Sequence, residues 1–157
     1  MADTMRWRYG DTNPVVIPVD SATTIEIGDL LYLNTDDARN AAALAYNTNL
    51  ATTQEDFHDL FLGVAMQRSP SGDSESIRVA TTGVFEFACA SATFEVGALV
   101  GADDNAGGTA LEDQQVIAVA TENLAVGRVA KRVGSADTKV LVDIVATVSH
   151  GGPQAKA

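Results

Sequence analysis

The sequence predicts a mainly β fold: a small pseudo-duplicated β-barrel or sandwich carrying one or two short helices. Three observations predict it. First, the chain repeats itself: Ile25-Glu26-Ile27-Gly28-Asp29-Leu30-Leu31-Tyr32 returns as Phe94-Glu95-Val96-Gly97-Ala98-Leu99-Val100-Gly101, and Leu62-Gly63-Val64-Ala65-Met66 returns as Val126-Gly127-Arg128-Val129-Ala130. Second, each half closes on an extended apolar segment, Ile77 to Phe87 and then Lys139 to Val148, so three elements recur in the same order. Third, the chain is 46% hydrophobic but only 6% aromatic, leaving Val, Ala, Leu and Ile to fill the core. A chain of 157 residues has the length of one ordinary domain. The expected organisation is an N-terminal arm over 1–13, a β-barrel domain over 14–148 with its duplicated halves at about 23–87 and 92–148, and a flexible tail over 149–157.

The arm alternates Arg6 and Arg8 with Trp7 and Tyr9 before Gly10 and Asn13-Pro14 break it. A Trp seldom stays in water without a partner, so the arm either folds back over an edge of the barrel or docks on another subunit. Val15 to Val19 reads as a strand, and Pro18 within it places it at an edge. Thr23 to Leu33 reads as strand, Gly28-Asp29 turn or bulge, and strand. Asn34 to Ala51 is a long excursion: Ala38 to Ala45 has helical propensity, but Asp36-Asp37 and Asn47-Thr48-Asn49 are loop-like. A helix is predicted over Thr53 to Leu62. Thr52 and Glu55 have capping-box spacing, Phe57, Leu60 and Phe61 share one face, and Gly63 supplies the stop. Thr121 to Leu124 is its shorter counterpart in the second half. Ser69 to Ser76 is a polar turn, and Ile77 to Ala80 and Val84 to Phe87 are strands about a Thr82-Gly83 break. Ala102 to Thr109 reads as a Gly- and Asp-rich loop, and Val116 to Ala120 as a strand. Thr138 to Val148 reads as a central buried strand, because nearly all of its alternate positions are apolar.

The net charge of −11 repels phosphate backbones, so nucleic acid is excluded as the main partner. The small clusters Arg6/Arg8 and Lys131-Arg132 do not reverse that field. A single cysteine, Cys89, rules out an internal disulfide and reads as a small buried thiol. The N-terminus is too polar for a signal peptide and no apolar run approaches the ~20 residues that span a bilayer, so the chain is expected to be soluble and made in a reducing cytoplasm, with no membrane partner. Catalytic patterns are scarce. His58 reads as solvated beside Asp56 and Asp59, and His150 lies in the tail. No Gly-x-Ser-x-Gly elbow, Walker loop or zinc spacing occurs. Asp103-Asp104-Asn105-Ala106-Gly107 resembles a cation loop but lacks the alternating ligands and closing Glu, and Asp36-Asp37 reads as a solvated pair. The expectation is a scaffold without catalytic residues, cofactor or metal.

The Glu26 to Tyr32 turn, the Leu62-Gly63-Val64-Ala65 segment and the Ile77 to Phe85 strand pair resemble a family of small tailed-phage and prophage capsid decoration-like proteins, which often carry a misleading RecA/RadA-like phage recombinase label. The later Phe94 to Gly97, Ala125 to Val129 and the last Val-rich strand fit the same pattern, so the resemblance spans Val15 to Val148. It implies a β-barrel-like homotrimer bound to the major capsid protein on the outside of the head shell, stabilising the virion against internal DNA pressure. No phosphate-binding loop supports a recombinase. Arg6, Trp7, Arg8 and Tyr9 are the expected capsid contact, the aromatic pair as anchors and the arginines pairing with shell carboxylates. The alternative is a β-rich binding module, a head-fibre or adhesin component recognising a host surface or glycan.

Overall fold

The computed structural model describes residues 3–155. Among the described residues, eleven strands form two sheets. The first half contributes β2 (Val15–Ile17), β3 (Leu30–Asn34), β4 (Asp37–Asn40), β5 (Phe61–Ala65) and β6 (Ile77–Ala80), ordered β2-β6-β5-β3-β4. The second contributes β7 (Thr82–Cys89), β8 (Leu99–Asp104), β9 (Leu111–Ala118), β10 (Gly127–Val129) and β11 (Lys139–Val145), ordered β7-β11-β10-β8-β9 and closed into a five-stranded barrel by a parallel β7–β9 pairing. Numbered within each half, the two orders are identical. The first sheet also brings its ends together, through a parallel bridge between Val19 and Ala38.

The likeness extends to register. Ile25 bridges Ser69 as Phe94 bridges Val133. Gly28 N donates to Ala65 O as Gly97 N donates to Val129 O, both at 2.9 Å. Buried core positions correspond as well: Ile25 with Phe94, Leu31 with Val100, Ile77 with Val140 and Val79 with Val142. Two cores result. Val19, Ile25, Leu31, Leu62, Ile77 and Val79 fill the first sheet, while Phe85, Phe87, Val116, Val142 and Ile144 fill the barrel. Strand alternation connects them: Leu31 points into the small core, whereas its neighbours Leu30 and Tyr32 join the large one. In this pairing β7, which begins at Thr82, takes the place in the second order that β2 takes in the first.

α1 (Leu50–Leu60) lies between the third and fourth strands of the first unit, where the second has one turn of 3₁₀ helix, Glu122–Leu124. Several sequence expectations are corrected here. Asn49, not Thr52, caps α1, accepting from Thr52 N at 2.9 Å, and the helix ends at Leu60 because Phe61 and Leu62 are drawn into β5. Gly63 therefore sits inside a strand, not at a helix stop. Phe57 and Phe61 pack beneath, with ring centroids 5.6 Å apart, but Leu60 faces outward. The Asn34 to Ala51 excursion contains strand β4, one 3₁₀ turn at Ala41–Ala43 and, at its end, the first two residues of α1. Pairing of Ala38 with Leu33 and Val19 overrides the helical propensity of that alanine-rich run. β8 runs through Asp103 and Asp104, so the Gly- and Asp-rich loop begins at Asn105. β11 ends at Val145 and is followed by the short helix α2 (Thr147–His150). The segment expected as a flexible tail packs at its start: Gly152 and Pro153 are buried, and Arg128 Nη2 donates to Gln154 O at 2.7 Å. Residues 156 and 157 lie outside the described residues.

Candidate interaction surface

The arm is a strand of the fold. β1 (Trp7–Tyr9) pairs antiparallel with β7, Trp7 opposite Phe85 and Tyr9 opposite Val84, along the part of the β7 edge that precedes its pairing with β9. Thr4 N donates to Ile27 O and Glu86 N to Arg6 O, each at 2.8 Å, so the segment is held along its length. It separates the four residues expected as a contact into two roles. Arg6 is only 9% exposed: its Nε donates to Gln114 Oε1 and its Nη1 to Glu86 O, both at 2.8 Å, and the guanidinium lies 6.0 Å from the Phe87 ring centroid. Gln114 in turn donates to Asp29 Oδ1 at 2.8 Å, which links the arm, the first-half turn and β9 in one buried relay. Burial pushes the Asp29 carboxyl up to about 6, against the pull of the hydrogen bonds from Gln114 and Glu26. Arg6 therefore locks the arm, and a partner cannot reach it without undoing that relay.

Trp7, Arg8 and Tyr9 face outward. Trp7 is 40% and Tyr9 51% exposed, and Met5 beside them 48%. Trp7 Nε1 donates to Gly10 O at 3.0 Å, fixing the indole while leaving much of its face in water. Arg8 Nη2 pairs with Glu86 at 3.0 Å, and its Nη1 donates to Met5 O and Trp7 O, covering carbonyls that an edge strand otherwise leaves open. The result is a rigid aromatic ridge on an edge strand, the residue type and setting that favour a protein contact.

His58, His150, Asp103 and Asp104 are held in structural bonds. His58, expected in solvent, is 8% exposed with Nδ1 2.7 Å from Ala125 O, so it ties α1 to the end of the 3₁₀ turn in the second half. His150 Nε2 lies 3.0 Å from Thr81 Oγ1. Cys89 is buried as expected, and burial, with Asp137 nearby, pushes its thiol up and away from thiolate chemistry. Asp103 is buried and accepts from Gln115 Nε2 at 2.7 Å, while Asp104 accepts from Tyr46 Oη at 2.7 Å. No group of three or more His, Cys, Asp or Glu converges among the described residues, and no helix there is long and apolar enough to cross a membrane. Sequence reading missed the inward turn of Arg6 and the burial of His58, since both depend on partners more than 65 residues away.

The comparisons agree with a structural role. No curated protein matches the chain. A family model described as phage cement protein matches residues 48–144, from the start of α1 almost to the end of β11 and well over half of the chain. This chain belongs to the phage cement protein family.

Proposed function

We propose that the protein is a capsid decoration protein of a tailed phage or prophage-derived particle. It binds the major capsid protein on the exterior of the head shell and stabilises the shell without catalysis. The observation that carries this reading is the family match over residues 48–144, beside which the most exposed aromatic residues, Trp7 and Tyr9, stand together on an edge strand paired to β7. Trp7 and Tyr9 are the anchors that enter the shell surface, Arg8 supplies the charged rim, and Arg6 positions all three from behind. The subunit acts as a homo-oligomer, a trimer in the simplest arrangement, is made in the host cytoplasm and resides in the virion.

Co-sedimentation with empty expanded shells of the cognate capsid protein tests the reading. The full chain pellets with shells and saturates. Trp7→Ala/Tyr9→Ala binds at least about tenfold more weakly, as removal of anchor residues does, while melting unchanged. Undiminished binding by that variant would remove the arm from the interface, and failure of the full chain to bind shells would overturn the decoration reading itself.

A further inference from the structure

The surface carries two features of opposite character that the capsid contact does not use. One is a hollow of about 580 Å³ between α1 and the segment before it, with Leu44, Ala45 and Leu60 as its apolar lining and Asp56 and Asp59 at its rim. No cation lines it. Leu60 is 39% exposed, unusual for a leucine on a helix whose other large apolar groups are buried. Asp56 accepts only from the Asn47 amide, at 3.0 Å, and neither Asp56 nor Asp59 has an ion pair among the described residues.

The other feature is the loop joining β10 to β11. It is solvent-exposed at Lys131, Arg132, Ser135, Ala136 and Asp137, and it puts two adjacent cations forward in a chain of net charge −11. Lys131 has no ion pair among the described residues, and Arg132 pairs only with Glu95, at 3.0 Å, where both side chains are at least 60% exposed and water screens the attraction. These cations are available at small cost.

We propose that Lys131 and Arg132 of one copy seat in the α1 hollow of the next, their aliphatic stems over Leu44, Ala45 and Leu60 and their charged heads on Asp56 and Asp59. Charge selects this occupant. Two bodies of −11 repel, so copies approach productively only where a basic element of one meets an acidic, cation-free surface of the other. The loop and the hollow share no residue, so the contact is head-to-tail, and its repetition closes into a ring where the rotation permits. The inference rests on the self-association in the reading above but not on shell binding.

Light scattering on the purified chain across concentration and salt reads it. The wild type assembles above the single-chain mass, more weakly at high salt. Lys131→Ala/Arg132→Ala removes the loop's charge and Leu60→Arg blocks the hollow. Each variant runs at the single-chain mass with an unchanged melting profile. Mixed, they form a one-to-one pair and nothing larger, because only one intact loop and one intact hollow remain. A wild type that stays at the single-chain mass at its highest soluble concentration overturns the proposal. So do variants that assemble normally, or a mixture that fails to pair. Shell co-sedimentation separates the two readings. If Leu60→Arg keeps its assembled mass but loses the shell, the hollow serves the capsid and the proposal falls; if the wild type assembles as described but ignores shells, the proposal stands and the decoration reading falls.

Discussion

Asp29 holds a carboxyl 1% exposed at the seam between the two halves, accepting from Gln114 Nε2 at 2.8 Å and from Glu26 N at 2.9 Å. Its folded value of about 6 lies above the ordinary 3.8, so the folded chain takes up a proton that the unfolded chain does not between those values. The cost of burying the charge is fully present above about pH 6 and is relieved as pH falls through that window, a gain of about 2–3 kcal/mol. Burial pushes Asp113 and Asp143 in the same direction. The urea midpoint is therefore expected to rise from pH 7 to pH 4.5, and Asp29→Asn to flatten that rise, since a carboxamide does not titrate there and its single oxygen accepts from only one of Glu26 N and Gln114 Nε2. An unchanged slope in the variant would show that Asp29 is not the titrating group. Gly63 is a second residue under constraint. Its φ is +142°, and an added Cβ would lie 1.9 Å from Ala80 O. Its counterpart Gly127 would place a Cβ 2.3 Å from Asp143 O. Gly63→Ala is expected to cost about 3 kcal/mol or more by forcing β5 from β6, read as a lowered melting temperature. Both glycines stood out in the sequence as repeated punctuation, but only the strand pairing shows that closeness of backbones is the reason.

At the scale of elements, α1 and β1 carry the sharpest tests. Asn49 accepts from Thr52 N, so Asn49→Ala should cost about 1 kcal/mol, whereas Thr52→Ala, which removes no cap, should cost under about 0.5 kcal/mol. Equal losses from chemical denaturation would contradict the assignment. On β1, Arg6→Ala leaves Gln114 Oε1 and Glu86 O without their donor and is expected to cost about 1–3 kcal/mol. Arg6→Lys recovers little of it, since one ammonium does not reproduce the fork. Trp7→Ala at the exposed ridge is expected to cost little in a thermal melt, and a loss as large as that of Arg6→Ala would mean the indole is a core residue. The sequence was legible where signals were local: the β class, the Gly28 and Gly97 turns, the edge position of β2 and the 3₁₀ counterpart of α1 all follow from short patterns. It was opaque where pairing across the chain decides. β4 formed within an alanine-rich run because Val19 and Leu33 flank Ala38, and Phe61 left the helix for β5.

For the whole molecule, two units of identical strand order lock together through polar contacts across their seam. Arg6 reaches Gln114 and on to Asp29; Ala42 N and the Asn40 amide reach Asp113; Gln54 reaches Ala102 O; and His58 reaches Ala125 O. Satisfied buried networks of this kind resist local opening, which suits a subunit whose task is to bear load. The arginine-aromatic alternation marked the arm, but which of its four residues face solvent depends on a strand pairing with residues some eighty positions away. The central claim, that this body clamps a capsid, is tested most directly by calorimetry of empty expanded cognate shells with and without saturating protein. The account predicts a higher shell melting temperature with the full chain, and a smaller rise with Trp7→Ala/Tyr9→Ala. A shell melting profile unchanged by saturating full-length protein would contradict it.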